Sequence, residues 1–300
     1  MQKITPFLWF ENNAEEAVNF YTSLFDDTSI LSVTRYNEES AKVSGQKPGS
    51  AMTIVFKLEG QNFTALNGGS HFKLNPSISF FVYCESETKI DRLYKSLSEG
   101  GFIMMPLDKY DWSPKYAWVQ DKFGLSWQLD VDKINNPQKI LPALLFVNEK
   151  NLRLKEAAIY YTSVFPDSKI IMEYPYDNSV GVPDGTLLFA QFKLNNFLFN
   201  AMSSTMKHDF DFNEAVSFAV NCKDQIEVDY YWNKLISNGG MESQCGWLKD
   251  KFGISWQIVP TRLIELLGDP DPVKAQKVMV EMLKMKKILI ADLEKAYTNV

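Results

Sequence analysis

The chain is poor in the residues that hold metals and staple small folds. Histidine occurs twice, at His71 and His208, and cysteine three times, at Cys84, Cys222 and Cys245. Two histidines exclude a His-rich metal centre and leave few candidates for an imidazole general base. Three widely spaced cysteines exclude a disulfide framework and point to a reducing, cytoplasmic compartment. Basic runs are missing too. With 31 Lys and Arg against 37 Asp and Glu the formal charge is −6, which argues against nucleic acid as a partner. No apolar stretch approaches the ~18–20 residues of a membrane span. The first residues, MQKITPFLWFENNAEEA, lack the charged-then-apolar pattern of a secretion signal. What remains is an ordinary globular composition, 45% hydrophobic and 23% charged over 300 residues. That length suits two domains of roughly 150 residues each, large enough to bury a core without disulfides or a structural metal.

The chain repeats itself. FYTSLFDDTSIL at 20–31 returns as YYTSVFPDSKII at 160–171, and FKL at 56–58 returns at 192–194. ISFFVYC at 78–84 returns as VSFAVNC at 216–222, and DKFGLSWQL at 121–129 as DKFGISWQI at 250–258. The offset drifts from 140 through 136 and 138 to 129, which places extra residues of the first half around 37–50 and 103–116. Within each half the pattern is strand, helix and three mainly antiparallel strands, twice over. ITPFLWFE reads as the first strand. Asn12 or Asn13 caps a helix with Ala17, Phe20, Tyr21 and Leu24 on one face. The reading is α+β: two tandem domains, 1–135 and 140–300, each of two βαβββ modules, joined near the polar stretch 132–137. Residues 270–297 add a helical extension. Asp271-Pro272 starts it, and Val278, Met282, Met285 and Leu289 form one apolar stripe. That stripe is expected to pack on its own protein or to make a homodimer contact.

With NAEEAVNFYTSLF after the first strand, ALNGG after the fourth and DKFGxSWQ before the last, the sequence resembles the PhnB-like branch of the vicinal oxygen chelate (glyoxalase-like) superfamily. This branch is often labelled 3-demethylubiquinone-9 3-methyltransferase. The resemblance covers nearly the whole chain, once per half. It implies a fold, and it implies where a metal would sit, with a His from the first strand of a module and a Glu from its last. Here the first strands ITPFLWF, PSISFF, LPALLFV and AVSFAV contain no His, and the last strands carry Gln128 and Gln257 where the superfamily enzymes have Glu. A neutral amide is a poor ligand for a divalent ion, so no cofactor is expected and a divalent metal is disfavoured. A methyltransferase would need a cradle for its sulfonium cofactor. The compact pair Asn67-Gly68-Gly69 lacks the G-x-G-x-x-G spacing of such a turn.

Strand alternation puts Gln128 and Gln257 on the face opposite Trp127 and Trp256, where they offer amide groups to a ligand. Trp118 and Trp247, three residues before each DKFG, are candidate loop aromatics over it. Cys245, with Tyr116 at the equivalent place in the first repeat, and the asparagines Asn67 and Asn200 after the fourth strands complete the candidate ligand contacts. No catalytic residue is assigned. Cys84 and Cys222 read as core residues, and His71 and His208 as surface-loop residues, with a gate or a general base as the functional alternative. Asp121 and Asp250 open the D-K-F-G turns and are expected to bond their own backbone two residues on. The expected function is metal-independent binding of a small apolar or aromatic molecule in a concave pocket, with no membrane or nucleic-acid partner. A superfamily lyase, isomerase or transferase with an unusual ligand set is one alternative, and an interaction protein docking through the C-terminal helix is another. The second repeat is expected to hold the more typical pocket. The insert of the first repeat, with Met104, Met105, Tyr110 and Trp112, is expected to fill or lid the other.

Overall fold

A computed structural model describes residues 2–132 and 136–298. The strands are β1 (Ile4–Phe10), β2 (Ser29–Arg35), β3 (Ala51–Leu58), β4 (Gln61–Asn67), β5 (Ile78–Cys84), β6 (Phe102–Tyr110), β7 (Ser113–Gln120), β8 (Ser126–Val131), β9 (Ile140–Phe146), β10 (Lys169–Pro175), β11 (Leu187–Leu194), β12 (Phe197–Ser203), β13 (Val216–Cys222), β14 (Met241–Glu242), β15 (Trp247–Lys249) and β16 (Ser255–Pro260). The helices are α1 (Ala14–Leu24), α2 (Glu38–Ser44), α3 (Glu87–Ser98), α4 (Leu154–Val164), α5 (Gln225–Ile236), α6 (Thr261–Leu267), α7 (Pro272–Met282) and α8 (Ile290–Thr298). Strand, helix, three strands is the order of all four modules, and the α+β class is as expected. The long loop of the first repeat contains one unforeseen helix, α2, which starts on an Asn37–Ser40 capping box.

The chain divides into two compact units, Phe7–Val216 and a smaller one of Met1–Pro6 with Ser217–Val300. The expected boundary at 132–137 falls within the larger unit, and its residues 133–135 lie outside the described residues. In the larger unit an eight-stranded sheet runs β10-β11-β12-β9-β5-β8-β7-β6. It therefore joins the second module of the first half to the first module of the second half through the antiparallel β5/β9 pair. Alternation divides its residues cleanly. Phe80, Val82, Cys84, Trp127 and Leu129 are fully buried on one side, where Trp127 meets Tyr21 and Phe25 with ring centroids 5.4 and 5.2 Å away. Ser79, Phe81, Tyr83, Gln128 and Asn200 occupy the other side.

Helix α1 enters this core through Ala14, Ala17, Val18 and Tyr21, whereas Phe20 and Leu24, expected on that face, are only half-buried. Asn13 is its N-cap but makes no side-chain capping bond. The cap comes from β4 instead: Asn67 Oδ1 accepts the Ala14 N–H at 2.8 Å, and its Nδ2 donates to Ala51 O at 2.8 Å. Both ends of this amide serve the backbone, so Asn67 is spent on the fold. The next residue is glycine for a steric reason. A Cβ on Gly68 would lie 2.3 Å from the Trp9 indole, whose Nε1 donates to Gly69 O at 2.8 Å.

The DKFG turns behave as read. Asp121 Oδ1 accepts the Phe123 N–H at 2.8 Å and Asp250 Oδ1 the Phe252 N–H at 2.8 Å. Their second oxygens do more than the sequence suggested. Asp121 Oδ2 takes Trp127 Nε1 and the Tyr21 hydroxyl, each at 2.8 Å, and Asp250 Oδ2 takes Trp256 Nε1 at 2.8 Å.

In the smaller unit the strand order is β14-β15-β16-β13, with the first residues of the chain beside β13 through Asn221 N–H to Lys3 O at 2.9 Å. The C-terminal extension is not one continuous helix. It breaks between α7 and α8, because the carbonyls of Met285 and Lys286 accept the N–H groups of Cys245 and Gly246 at 2.7 Å each, and Ile290 N–H goes to Gln225 Oε1 at 2.9 Å. A helix would need those groups for its own ladder. The break changes the stripe: Val278, Met285, Ile288 and Leu293 are buried with Leu263 and Leu266, Met282 packs against them, and Leu289 is 40% exposed. No helix among the described residues is long and apolar enough to cross a membrane.

The Asn67 account predicts that Asn67→Ala, which leaves a buried N–H and a buried C=O unpaired, lowers stability by about 1–3 kcal/mol. Gly68→Ala should lower it by about as much through overpacking against Trp9. Chemical denaturation of each variant checks both values.

Candidate functional site

The inward side of the eight-stranded sheet carries a second apolar cluster, separate from the core under the helices. Phe81, Tyr83, Tyr116, Leu141, Ala143 and Leu198 are buried in it, and Met105, Tyr110, Trp118 and Met202 pack against it half-exposed. These residues come from β5, β6, β7, β9 and β12, so the surface draws on both halves of the chain. The insert of the first repeat extends the β6/β7 hairpin, whose register is broken three times between Ile103 and Tyr110. Met105 and Tyr110 reach the cluster as expected. Trp112 does not become buried: it sits at the hairpin turn, 64% exposed, stacked on Tyr110 at 5.0 Å and edge-on to Tyr116 at 5.8 Å.

Polar groups are set among these rings. Gln128, fully buried, accepts the Tyr116 hydroxyl on Oε1 at 2.6 Å and donates from Nε2 to Ser79 Oγ at 2.7 Å. Trp118 pairs with Gln128 across β7/β8 and donates its Nε1 to Ser126 Oγ at 2.7 Å. Asn200, also fully buried, accepts Gln191 Nε2 on Oδ1 at 3.0 Å, and its Nδ2 approaches the Tyr83 hydroxyl at 3.5 Å. Four of the sequence candidates, Tyr116, Trp118, Gln128 and Asn200, thus share one surface. Tyr83, Gln191 and Ser79 were missed. Their signal was the same alternation: Ser79 and Tyr83 lie two residues either side of Phe81, and Gln191 pairs directly with Asn200 in β11/β12.

Asn67 and Asn200, grouped in the sequence reading, are not equivalent. Register places Thr64 and Asn200 at matching positions, and Asn67 matches Ser203. Tyr36 and Tyr176 donate to the carbonyls of Asn67 and Ser203 at 2.5 and 2.6 Å. The remaining candidates lie in the smaller unit. Gln257 repeats the serine contact of Gln128, donating to Ser217 Oγ at 3.0 Å, and Trp247 pairs with it across β15/β16. Cys245 has φ 57° and engages the chain through its backbone, which tethers the segment after α7. Burial raises its thiol pKa and pushes Cys84 and Cys222 up to about 12, so the thiols stay protonated and unreactive at neutral pH. His71 is exposed, and His208 shares a 2.9 Å hydrogen bond with Ser204 Oγ.

The superfamily's metal does not fit this donor set. Level with the two carboxamides, the inward positions of β5, β8, β9 and β12 are Ser79, Phe81, Gln128, Ala143 and Asn200, which offer no imidazole, thiolate or carboxylate. Gln128 Oε1 is already occupied by a phenol hydrogen. Among the described residues no three His, Cys, Asp or Glu gather to hold a metal ion.

One carboxylate lies at the rim. Asp130 accepts the Ser113 hydroxyl and faces Tyr116 across β7/β8. Burial raises its pKa, so folding disfavours its charged form. This penalty is absent below the unfolded value of ~3.9 and grows as pH rises through the raised folded value. Asp130→Asn should therefore gain in stability relative to the native chain between pH 4 and pH 7, as followed by thermal unfolding across that range. A constant difference would contradict the burial assignment.

The sequence model of the family described as 3-demethylubiquinone-9 3-methyltransferase matches twice, at residues 2–130 and 138–259. A solved structure described as a 3-demethylubiquinone-9 3-methyltransferase, PhnB protein, from Bacillus cereus is 44% identical over 44% of this chain and 100% of its own, with a TM-score of 0.41. Glyoxalase I from Zea mays is 11% identical but covers 85% of this chain and 91% of its own, with a TM-score of 0.56, which shows a shared fold. No curated protein matches the chain. The chain belongs to the 3-demethylubiquinone-9 3-methyltransferase family of PhnB-like proteins, and it carries that glyoxalase-like sequence twice in tandem.

Proposed function

We propose that this protein binds a small, largely apolar molecule on the inward face of its eight-stranded sheet, without a metal ion. The observation that carries the reading is the pair of buried carboxamides, Gln128 and Asn200, set among Phe81, Tyr83, Tyr116 and Trp118. Aromatic walls supply affinity through buried area, and a few fixed polar groups supply orientation. The half-exposed side chains of Met105, Tyr110, Trp118 and Met202 are the parts of this surface able to adjust to a guest, methionine above all.

The methyl transfer in the family's description finds no support in the chemistry here. The glycine turn after β4, the compact candidate for a cofactor cradle, packs Gly68 against the Trp9 indole and spends the Gly69 carbonyl on its N–H. Docking through the C-terminal stripe is disfavoured as well, because Val278, Met285 and Ile288 are buried within the smaller unit. Three free cysteines suit a reducing, cytoplasmic location.

The test is a thermal-shift screen of neutral bicyclic and tricyclic aromatics against the full chain. A ligand at a hundred times its Kd adds about 2.7 kcal/mol of stability. Trp118→Ala should abolish the ligand-induced shift, and Trp247→Ala should leave it intact. The opposite pattern would move the site to the smaller unit and overturn this assignment. No shift from any compound would overturn the binding reading itself.

A further inference from the structure

The two buried carboxamides occupy related places. Gln128 lies opposite Phe81 in the parallel β5/β8 pair, and Asn200 opposite Ala143 in the parallel β9/β12 pair. The antiparallel β5/β9 pair, in which Phe80 faces Pro142, relates one set to the other by an approximate two-fold. Each carboxamide meets a tyrosine, but with opposite polarity. Tyr116 spends its hydroxyl hydrogen on Gln128 Oε1. Asn200 has its Oδ1 occupied by Gln191 at 3.0 Å, so it presents Nδ2 to the Tyr83 oxygen at 3.5 Å. Gln191 Nε2 approaches the same oxygen at 3.4 Å. Donors alone surround Tyr83, and its own hydroxyl hydrogen meets no acceptor among the described residues.

A buried phenol with an unspent donor is costly unless something accepts from it. Tyr83 and Phe81 each keep 8% exposure, with ring centroids 4.9 Å apart, so the pair faces the surface a guest would cover. We propose that the Tyr83 hydroxyl, held by Asn200 and Gln191, is the donor that recognises a neutral carbonyl oxygen on a flat apolar ligand. The acceptor is neutral because the acidic residues Asp130 and Asp132 stand near Tyr83 and do not favour an anion. Tyr116 and Gln128 are positioning residues, held by each other and by Ser79. This inference rests on the binding reading of the inward face.

A matched pair of probes separates the two. 9-Fluorenone and fluorene have the same flat ring system and differ by a carbonyl in place of a methylene. Equilibrium dialysis of the full chain should find fluorenone bound roughly tenfold more tightly than fluorene, the worth of about one hydrogen bond. Tyr83→Phe should bring fluorenone to the affinity of fluorene and leave fluorene unchanged. Gln191→Leu frees Asn200 Oδ1 as an internal acceptor for Tyr83, so it too should shrink the ratio. A native ratio near one, or a ratio that survives both substitutions, would overturn the donor assignment while fluorene binding keeps the apolar site. Failure of both probes to bind would overturn the site and the donor together.

Discussion

The inward face is organised by a hydrogen-bonded chain from the Tyr116 hydroxyl through the Gln128 amide to Ser79. Each member is buried, and each contact is short. A primary amide has a fixed donor end and a fixed acceptor end. Once Tyr116 gives its hydrogen to Oε1, Nε2 must turn to Ser79, and the polarity of the chain is set. The packing follows from this. Tyr116 is held flat enough to meet Phe81, Tyr110 and Trp112 with centroids 5.6–6.1 Å away, and the β6/β7 hairpin seats its aromatics on that ring. The same position that could hold a metal-binding carboxylate thus anchors an aromatic wall.

The fold was legible because its signals are periodic and repeated. Alternation placed Trp127 and Gln128 on opposite faces, and DKFG turned out to be a turn closed by its own aspartate. The repeat also announced two tandem copies. What the repeat does not encode is which modules pair. Sheet partners are chosen by long-range burial, and the eight-stranded sheet couples β5 of one half to β9 of the other. Helix α1 shows a similar limit. Its cap residue is visible in sequence, but the hydrogen bond that closes the first turn comes from Asn67, more than fifty positions away.

The site was half legible. Gln128, Asn200, Tyr116 and Trp118 were reached through resemblance and alternation, and all four lie on one surface. Asn67 carried a similar local sequence signal but faces the backbone. Asparagine after a strand says nothing by itself about which way its amide is spent. Tyr83 was hidden in a strand of continuous apolar residues, where its hydroxyl does not register in a hydrophobic pattern. In the C-terminal extension helical spacing suggested one stripe, yet the carbonyls of Met285 and Lys286 pair with Cys245 and Gly246. Backbone competition of that kind leaves no trace in side-chain periodicity.

The central claim is that neutral hydrogen bonding replaces metal coordination on the inward face, and it can be tested on the purified 300-residue chain. Thermal unfolding would be followed during titration with Zn²⁺, Ni²⁺ and Mn²⁺, with isothermal calorimetry on the same samples. A cation bound by the native state alone raises stability in step with its concentration over its Kd. The account predicts an unchanged unfolding temperature and no saturable heat with the native chain. Stoichiometric, saturable binding of any of these ions by the native chain, lost on Gln128→Ala, would contradict it.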